Sequence, residues 1–351
     1  YGVPYSYVDI TKEYDNLVAN PNIRKRKIKA RDLENEISKL QQESGYPYII
    51  NIDTANKNNP IDGKIIMSNL CSEILQVQTP SVINGKQEYE VLGTDISCNL
   101  GSTNIVNLME SPDFGKSVRA MTRALTFVTD ASEIDVVPTI QNGNRLSHTI
   151  GLGAMGLHTF FAKNHMEYGS EESLDFTDIY FMLLNYWTLM ESNFTPKFDK
   201  VKEIFKDIQI PTAEDWAALR DAVKKDGLYH QNRLAVAPNG SISYINDTSA
   251  SIHPITRMIE ERQEKKIGKI YYPAPYLAND TIPYYTSAYD MDMRKVIDVY
   301  ATAQQHVDQG MSLTLFMRSE IPEGLYEWKE TPKQTTRDLN ILRHYAFNKG
   351  I

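Results

Sequence analysis

The sequence predicts an α/β protein in which strands and helices alternate along the chain. Runs of residues typical of strands occur within residues 95–108, 233–245 and 311–317. Segments with apolar residues at helical spacing lie between these runs. This alternation favours a sheet of mainly parallel strands with helices packed against it. A chain of 351 residues, 41% of them hydrophobic, is long enough to bury a large core.

In the first third of the chain, residues 23–44 predict an amphipathic helix that ends near Gly45. Residues 46–53 predict a short buried strand, because the run is rich in Tyr and Ile. Residues 64–77 are apolar but carry Asn, Cys and Glu in their middle, and an Asn-Gly turn follows within residues 78–93. Residues 95–108 predict a strand and a loop.

The rest of the chain continues the same alternation. Residues 145–164 predict a strand, a glycine turn and a helix, and residues 233–245 predict a strand that enters a Pro-Asn-Gly turn. Further strands are predicted over residues 266–275 and 311–317, and helices over residues 117–131, 175–205, 213–225, 291–309 and 332–347.

Composition and charge exclude several classes of protein. The net charge of −8 argues against non-specific binding to a nucleic-acid backbone, which requires a basic surface. No apolar run approaches the roughly 20 residues that span a bilayer, and the N-terminal residues lack the pattern of a signal peptide. Two cysteines, no CxxC and no close spacing of histidines predict a protein of a reducing compartment, the cytoplasm, without a metal site.

The segment NLCSE places Asn69, Cys71 and Glu73 at alternate positions. In an extended segment these three side chains would project to one side. One interpretation makes Cys71 a small buried hydrophobe, as free cysteines usually are. Glu73 favours the other, because a carboxylate in an apolar stretch needs a partner or a raised pKa, and such a group beside a thiol marks a candidate functional site.

The segment APNGSIS, residues 237–243, follows a predicted strand. Gly240 between small residues would let consecutive backbone N–H groups turn toward one point, which suits a phosphate if a helix begins there. The alternative is a plain turn with a serine helix cap.

Gly151, Gly153 and Gly156 fit the pattern GxGxxG, which is typical of dinucleotide-binding folds and indicates a rival, a nicotinamide- or flavin-dependent oxidoreductase. That fold also needs an acidic residue at the end of a second strand about 20 residues later. Glu171 and Glu172 are near that distance but lie in a polar stretch. We therefore interpret the glycines as sites of close strand–helix packing.

Four segments together, SNLCSEI, DISCNLGSTNI, RLSHTIGLGAMGLH and APNGSISYINDTSASIHP, resemble the large subunit of class Ib ribonucleotide reductases in order and approximate spacing. The resemblance extends over the whole chain. It implies a ten-stranded α/β barrel made of two antiparallel sets of five parallel strands, with a finger loop at about residues 64–77. It also implies that residues 1–351 are the C-terminal part of this barrel, without its N-terminal half and last strand.

The resemblance also assigns roles to individual residues. Cys71 matches the cysteine that becomes a thiyl radical, and Glu73 matches the carboxylate that takes the proton of the substrate 3′-hydroxyl. Asn69 matches an amide that hydrogen-bonds near the reacting hydroxyls, and Cys98 matches one of two redox cysteines. The implied substrate-binding residues are Asn69, Leu70, Cys71, Ser72 and Glu73, with Pro238, Asn239, Gly240, Ser241 and Ile242 for the diphosphate.

The implied activity is reduction of ribonucleoside diphosphates to deoxyribonucleoside diphosphates, the precursors of DNA. The chain would bind no cofactor itself, because a metal-containing small (beta) subunit supplies the radical. Other expected partners are a thioredoxin- or glutaredoxin-like reductant and the missing segments of the large subunit, which could be separate chains; alone, the chain would be inactive. The alternative function is a non-catalytic nucleotide-binding or assembly piece of a split subunit.

Overall fold

The computed structural model describes residues 8–188, 205, 207–264 and 268–351, and it confirms the predicted α/β class. Its strands are β1 (Val82–Ile83), β2 (Tyr89–Val91), β3 (Leu100–Asn104), β4 (Gly151–Met155), β5 (Ile259–Glu264) and β6 (Gly268–Pro273). Its helices are α1 (Ile10–Ala19), α2 (Ala30–Ser44), α3 (Ile52–Lys57), α4 (Ile105–Met109), α5 (Phe114–Ala131), α6 (Pro138–Ser147), α7 (Leu157–Lys163), α8 (Glu171–Thr188), α9 (Ala213–Asp226), α10 (Gly240–Ile245), α11 (Met293–Gln304) and α12 (Thr336–Asn348).

Four parallel segments form the framework of the molecule. β3 and β4 pair in parallel, with Leu100 opposite Gly151 and Asn104 opposite Met155. β4 continues through a parallel bridge to Leu234, and Val236 bridges in parallel to Met311. Residues 233–236 and 310–312 therefore extend the parallel arrangement beyond β4, and long helical connections join all four segments, as parallel pairing requires.

Helices pack against this framework and complete the core. α8 contacts both α5 and α11, and its buried side chains include Phe176, Ile179 and Tyr180. α5 begins where the Asp113 carboxylate accepts from the N–H of Lys116 at 2.7 Å, a helix cap that satisfies one of the unpaired first-turn donors. None of the described helices is long and apolar enough to cross a membrane.

The N-terminal predictions need two corrections. The helix predicted from residue 23 begins at Ala30, and residues 24–29 precede it as RKRKIK, where like charges on successive turns disfavour a helix. The strand predicted over residues 46–53 is wrong. Tyr46, Tyr48 and Ile49 are exposed, no described strand pairs with them, and α3 begins at Ile52. An apolar run becomes a strand only where a partner satisfies its backbone groups.

Smaller corrections concern element ends. Residues 145–147 complete α6 rather than begin a strand, the helix predicted to residue 309 ends at Gln304, and within 311–317 only Met311 pairs as a strand does. The predicted helix 175–205 is confirmed to Thr188, and residues 189–204 lie outside the described residues. The Asn-Gly turn is confirmed, because β1 and β2 flank it as an antiparallel hairpin.

Candidate active site

The segment Asn69–Glu73 forms a turn, so the predicted extended geometry is wrong. The N–H of Ser72 donates to the carbonyl of Asn69 at 3.2 Å, and Ser72 has φ 69°, in the left-handed region that non-glycine residues seldom adopt. The side chain of Leu70 is 77% exposed at this turn. The turn nevertheless brings the side chains of Asn69 and Glu73 into contact. Their proximity was predicted, but from an extended segment whose alternate side chains project to one side.

Glu73 is buried, and both of its carboxylate oxygens have partners. Asn69 Nδ2 donates to Glu73 Oε1 at 2.8 Å, and Ser312 Oγ lies 3.2 Å from Glu73 Oε2. Only 1% of the residue is exposed, and no ion pair to it occurs within the described part of the chain. The carboxylate is therefore held by an amide and a hydroxyl, which position it without neutralising it.

The strand segment 310–312 holds the turn from the other side. The N–H of Gly310 donates to the carbonyl of Glu73 at 2.8 Å, and Ser312 Oγ donates to the carbonyl of Cys71. A Cβ at position 310 would lie 2.8 Å from the carbonyl oxygen of Ser72, so this close approach of two backbones requires glycine.

The charge of Glu73 acts on both cysteines. Burial raises the pKa of the half-buried Cys71, and the charge of Glu73 raises it further. Cys98 is exposed as a whole residue, yet partial burial of its thiol raises its pKa, with smaller contributions from Glu73 and Cys71, while a hydrogen bond with Asn69 opposes them. Both cysteines are therefore thiols at neutral pH, the form that can donate a hydrogen atom.

A cavity of about 1010 Å³ adjoins the turn. Cys71, Ser72, Pro238, Gly310 and Ser312 are among its lining residues, whereas Asn69 and Glu73 are not. The cysteine thus borders open space while its carboxylate and amide neighbours contact each other beside it.

The segment at residues 237–245 runs from the third parallel segment directly into α10. Asn239, at the helix cap position, uses its side chain elsewhere: Nδ2 donates to Ser102 Oγ at 2.9 Å, and Oδ1 accepts from the N–H of Ser251 at 2.5 Å. The alternative of a serine cap is therefore wrong. Gly240, Ser241 and Ile242 are exposed, and first-turn N–H groups such as theirs have no intrahelical acceptor.

Comparison with known proteins identifies the fold. Residues 1–351 match the family described as "Ribonucleotide reductase, barrel domain". The chain belongs to that family. A solved structure of the alpha subunit of the Actinobacillus ureae class Id ribonucleotide reductase superimposes with a TM-score of 0.64 at 18% identity, covering 98% of this chain and 62% of that one. The reductase barrel implied by the resemblance is confirmed as the fold.

Relatives of similar sequence carry the same family name. The chain is 40% identical over 385 positions to the ribonucleoside-diphosphate reductase subunit alpha of Bacillus subtilis, and 40% identical over 387 positions to that of Mycoplasma pneumoniae. Each match covers 100% of this chain but only 53% and 52% of the relatives. This reductase barrel chain therefore spans about half the length of the curated relatives it matches.

The glycines of the GxGxxG pattern have a packing role in this barrel. A Cβ at Gly153 would lie 2.4 Å from the carbonyl oxygen of Ala235, and one at Gly156 would lie 2.1 Å from Thr248 Oγ1. Gly151 similarly meets Leu100 at 2.6 Å. Neighbouring strand segments and Thr248 occupy the space in which a dinucleotide would have to lie, so the dinucleotide-dependent alternative is wrong. The glycines are sites of close packing as predicted, but between strands and against Thr248 rather than between a strand and a helix.

Two residues that contact the site were missed by the sequence analysis. Gly310 and Ser312 hold the turn, but they begin an ordinary apolar strand segment, and their contacts join residues more than 230 positions apart, as the 239-residue separation of Ser312 and Glu73 illustrates. No local pattern carries that information. Across the described residues, no group of three or more His, Cys, Asp or Glu side chains could hold a metal ion.

Proposed function

We propose that this chain carries the thiyl-radical active site of a reductase that converts ribonucleoside diphosphates to deoxyribonucleoside diphosphates. The observation that carries the proposal is the joint contact of Asn69 with Glu73 and Cys98, one turn from Cys71. A buried carboxylate that is held by neutral donors, and whose charge acts on two protonated thiols, combines a proton acceptor with sources of hydrogen atoms and electrons.

The chemistry assigns one step to each group. A radical at the Cys71 sulfur removes the hydrogen atom from C3′ of the ribose, and the thiol S–H forms. Glu73 takes the proton of the 3′-hydroxyl while the 2′-hydroxyl leaves as water with a proton from one redox thiol. The other redox thiol supplies the hydrogen that C2′ gains, and Glu73 returns its proton to O3′. Cys98 and a second cysteine of the subunit supply two electrons by closing a disulfide. Cys71 then returns a hydrogen atom to C3′, so that one dithiol is oxidised for each deoxyribonucleotide formed.

The diphosphate would bind at the exposed start of α10. The first-turn N–H groups of Gly240, Ser241 and Ile242 point away from the helix, and a helix N-terminus favours an anion. Asn239 fixes this turn through its bonds to Ser102 and Ser251, so the donors are preorganised. Pro238 borders both this turn and the cavity that Cys71 lines, which connects the two ends of the proposed substrate.

We further propose a class Ib enzyme of the cytoplasm, as the four matching segments suggest. Its partners would be a radical-generating, metal-containing small subunit, a thioredoxin- or glutaredoxin-like reductant, and the remaining segments of the large subunit, in the same chain or in separate chains. The radical arrives from the small subunit, so this chain would hold no cofactor of its own.

The test is product analysis with a radiolabelled ribonucleoside diphosphate in the complete enzyme. Cys71→Ser should abolish turnover, because the O–H bond of serine is too strong to give a hydrogen atom to the radical relay. Cys98→Ser should still allow abstraction at C3′ but should release free base instead of product, because no disulfide can close.

Two outcomes would overturn the proposal. Normal deoxyribonucleotide formation by Cys71→Ser would remove the radical assignment and favour the non-catalytic nucleotide-binding alternative. Normal yield from Cys98→Ser over many turnovers with the physiological reductant would show that Cys98 is a packing residue. In that case the variant would also lose little stability, because the residue is exposed.

A further inference from the structure

Ser312 lies where one hydroxyl serves two acceptors. Ser312 Oγ donates to the carbonyl of Cys71 and also lies 3.2 Å from Glu73 Oε2. Its backbone is fixed on both sides: the N–H donates to the carbonyl of Val236 at 3.0 Å, and the carbonyl accepts from the hydroxyl of the buried Tyr300 at 3.1 Å. The hydroxyl can therefore rotate about a fixed Cβ, but the residue cannot easily move.

A serine hydroxyl has one proton, so it can donate to only one of these acceptors at a time. When Glu73 is ionised, the Ser312 proton is best placed toward Oε2, because otherwise a lone pair of the hydroxyl would face a negative oxygen. When Glu73 is protonated, the direction reverses. The carboxyl O–H donates to Ser312 Oγ, and the Ser312 proton is free for the carbonyl of Cys71.

Asn69 determines which oxygen of Glu73 takes part in this exchange. Asn69 Nδ2 donates to Oε1 at 2.8 Å, and its orientation is fixed because Asn69 Oδ1 accepts from the N–H of Ile74 at 3.0 Å. A proton on Oε1 would face this donor, so the proton of the neutral carboxyl resides on Oε2, the oxygen beside Ser312.

We infer that Ser312 is a positioning residue that couples the protonation of Glu73 to the backbone of Cys71. The inference rests on the proposed function, in which Glu73 gains and loses one proton in each turnover. Ser312 neither gains nor loses a proton; only its O–H bond rotates. The turn that carries the cysteine thus keeps a hydrogen-bonded carboxyl in both states, and the carbonyl of Cys71 gains its donor when the 3′-hydroxyl proton has moved to Glu73.

The sharpest test compares Ser312→Thr with Ser312→Val in the complete enzyme, because the two side chains have the same shape and differ in the hydroxyl. Ser312→Thr should retain kcat within about threefold. Ser312→Val and Ser312→Ala should lose about 10- to 100-fold in kcat, the effect of one hydrogen bond to a charged group, with KM changed less than about twofold. The solvent deuterium isotope effect on kcat should be larger in the Val variant, since the transfer of the 3′-hydroxyl proton to Glu73 becomes slower.

Ser319→Ala, which removes an exposed hydroxyl seven residues further along the chain and outside the cavity lining, is the control and should leave kcat unchanged. Equal loss in the Thr and Val variants, an unchanged isotope effect, or normal kcat in the Val variant would each overturn the inference. Cys71→Ser in the same assay distinguishes failure of the Ser312 inference from failure of the proposed function. If it is inactive while Ser312→Val is normal, only the role of Ser312 fails; if it is active, the proposed function itself fails.

Discussion

Asn69 Nδ2 donates to Glu73 Oε1 at 2.8 Å, and through this amide Glu73 and Cys98 share one neighbour. The arrangement has an electrostatic consequence, because the charge of Glu73 is close enough to raise the pKa of both thiols. For both cysteines burial is the larger cause and the carboxylate the second. Site-resolved thiol chemistry can therefore report on the geometry without any turnover.

The first prediction is that Glu73→Gln shifts the alkylation of both cysteines to lower pH. The amide oxygen of glutamine can still accept from Asn69, but the negative charge is gone, so thiolates form more easily. Iodoacetamide labelling at several pH values, with mass spectrometry to separate Cys71 from Cys98, measures the two profiles. The pH at which each cysteine is half-labelled should stay above that of a free cysteine, because both thiols remain partly buried.

Glu88→Gln is the control for this experiment, since Glu88 is an exposed acid on the β1–β2 hairpin, and it should leave both profiles in place. If Glu73→Gln leaves the profiles unmoved or moves them to higher pH, the carboxylate does not act on the thiols as the geometry indicates.

The second prediction concerns the proposed diphosphate site. Gly240→Pro removes one first-turn N–H at a helix position that accepts proline, so the fold should be kept. Binding of a ribonucleoside diphosphate should weaken about tenfold or more, the effect of one hydrogen bond to a charged group, as measured by titration calorimetry on the complete subunit. Gly240→Ala keeps the N–H, and its Cβ would meet nothing within 4 Å, so it should bind normally. Equal affinity of the two variants would place the diphosphate elsewhere.

The third prediction tests the packing role of the glycine pattern. Gly153→Ala puts a Cβ 2.4 Å from the carbonyl oxygen of Ala235, and because backbone atoms cannot move away cheaply, the strands must separate. Overpacking of this kind costs about 1–3 kcal/mol, measurable as a lower free energy of unfolding in urea. Gly85→Ala, at the open hairpin turn where a Cβ meets nothing within 4 Å, is the comparison. An unchanged free energy of unfolding for Gly153→Ala would contradict the close approach of β4 to residues 233–236.

The helices with regular apolar spacing were predictable from the sequence, and the site was predictable only in part. α5, α11 and α12 lie where their periodicity indicates, because that signal is local. The proximity of Asn69 to Glu73 was predictable from their spacing, but the turn at Ser72 was not, since a serine gives no sequence signal of a positive φ as glycine does.

What the sequence could not supply depends on distant contacts. The apolar run at residues 46–50 has no strand partner among the described residues. Whether such a run finds a partner depends on how distant segments pack, which its own residues do not reveal. Ser312 approaches Glu73 across 239 residues, and its neighbours in sequence give no sign of it. The sequence motifs indicate the family and the fold, whereas the hydrogen bonds that position Glu73 join segments far apart in the sequence and have no local sequence signal.

The fourth prediction is that His158 makes the stability of the protein fall as pH falls. Its ring is 0% exposed, with Nδ1 accepting from the N–H of Ile255 and Nε2 donating to the carbonyl of Tyr284, both at 2.9 Å. This pairing requires the neutral ring. Burial lowers the pKa of His158 to about 4, against an ordinary value of 6.5, and the bond to Tyr284 only partly opposes that effect.

The direction of the pH dependence follows from the lowered pKa of His158. Above pH 6.5 the ring is neutral in both the folded and unfolded states, and the stabilising contribution is fully present. Between pH 6.5 and about 4 the unfolded chain takes up a proton that the folded protein resists, so stability is lost progressively. At about 1.4 kcal/mol for each pH unit, the full loss is about 3 kcal/mol.

Urea unfolding at several pH values from 7.5 to 4.5 measures this loss, and His158→Gln isolates the part that belongs to His158. Glutamine can donate and accept in place of the ring but does not titrate, so the variant should be less stable at pH 7.5 and should lose less stability on acidification. The exposed His344 provides the matched substitution, His344→Gln, which should keep the wild-type dependence. If His158→Gln and wild type lose the same free energy of unfolding between pH 6.5 and 4.5, the buried ring is already protonated or is not held neutral by its two backbone partners.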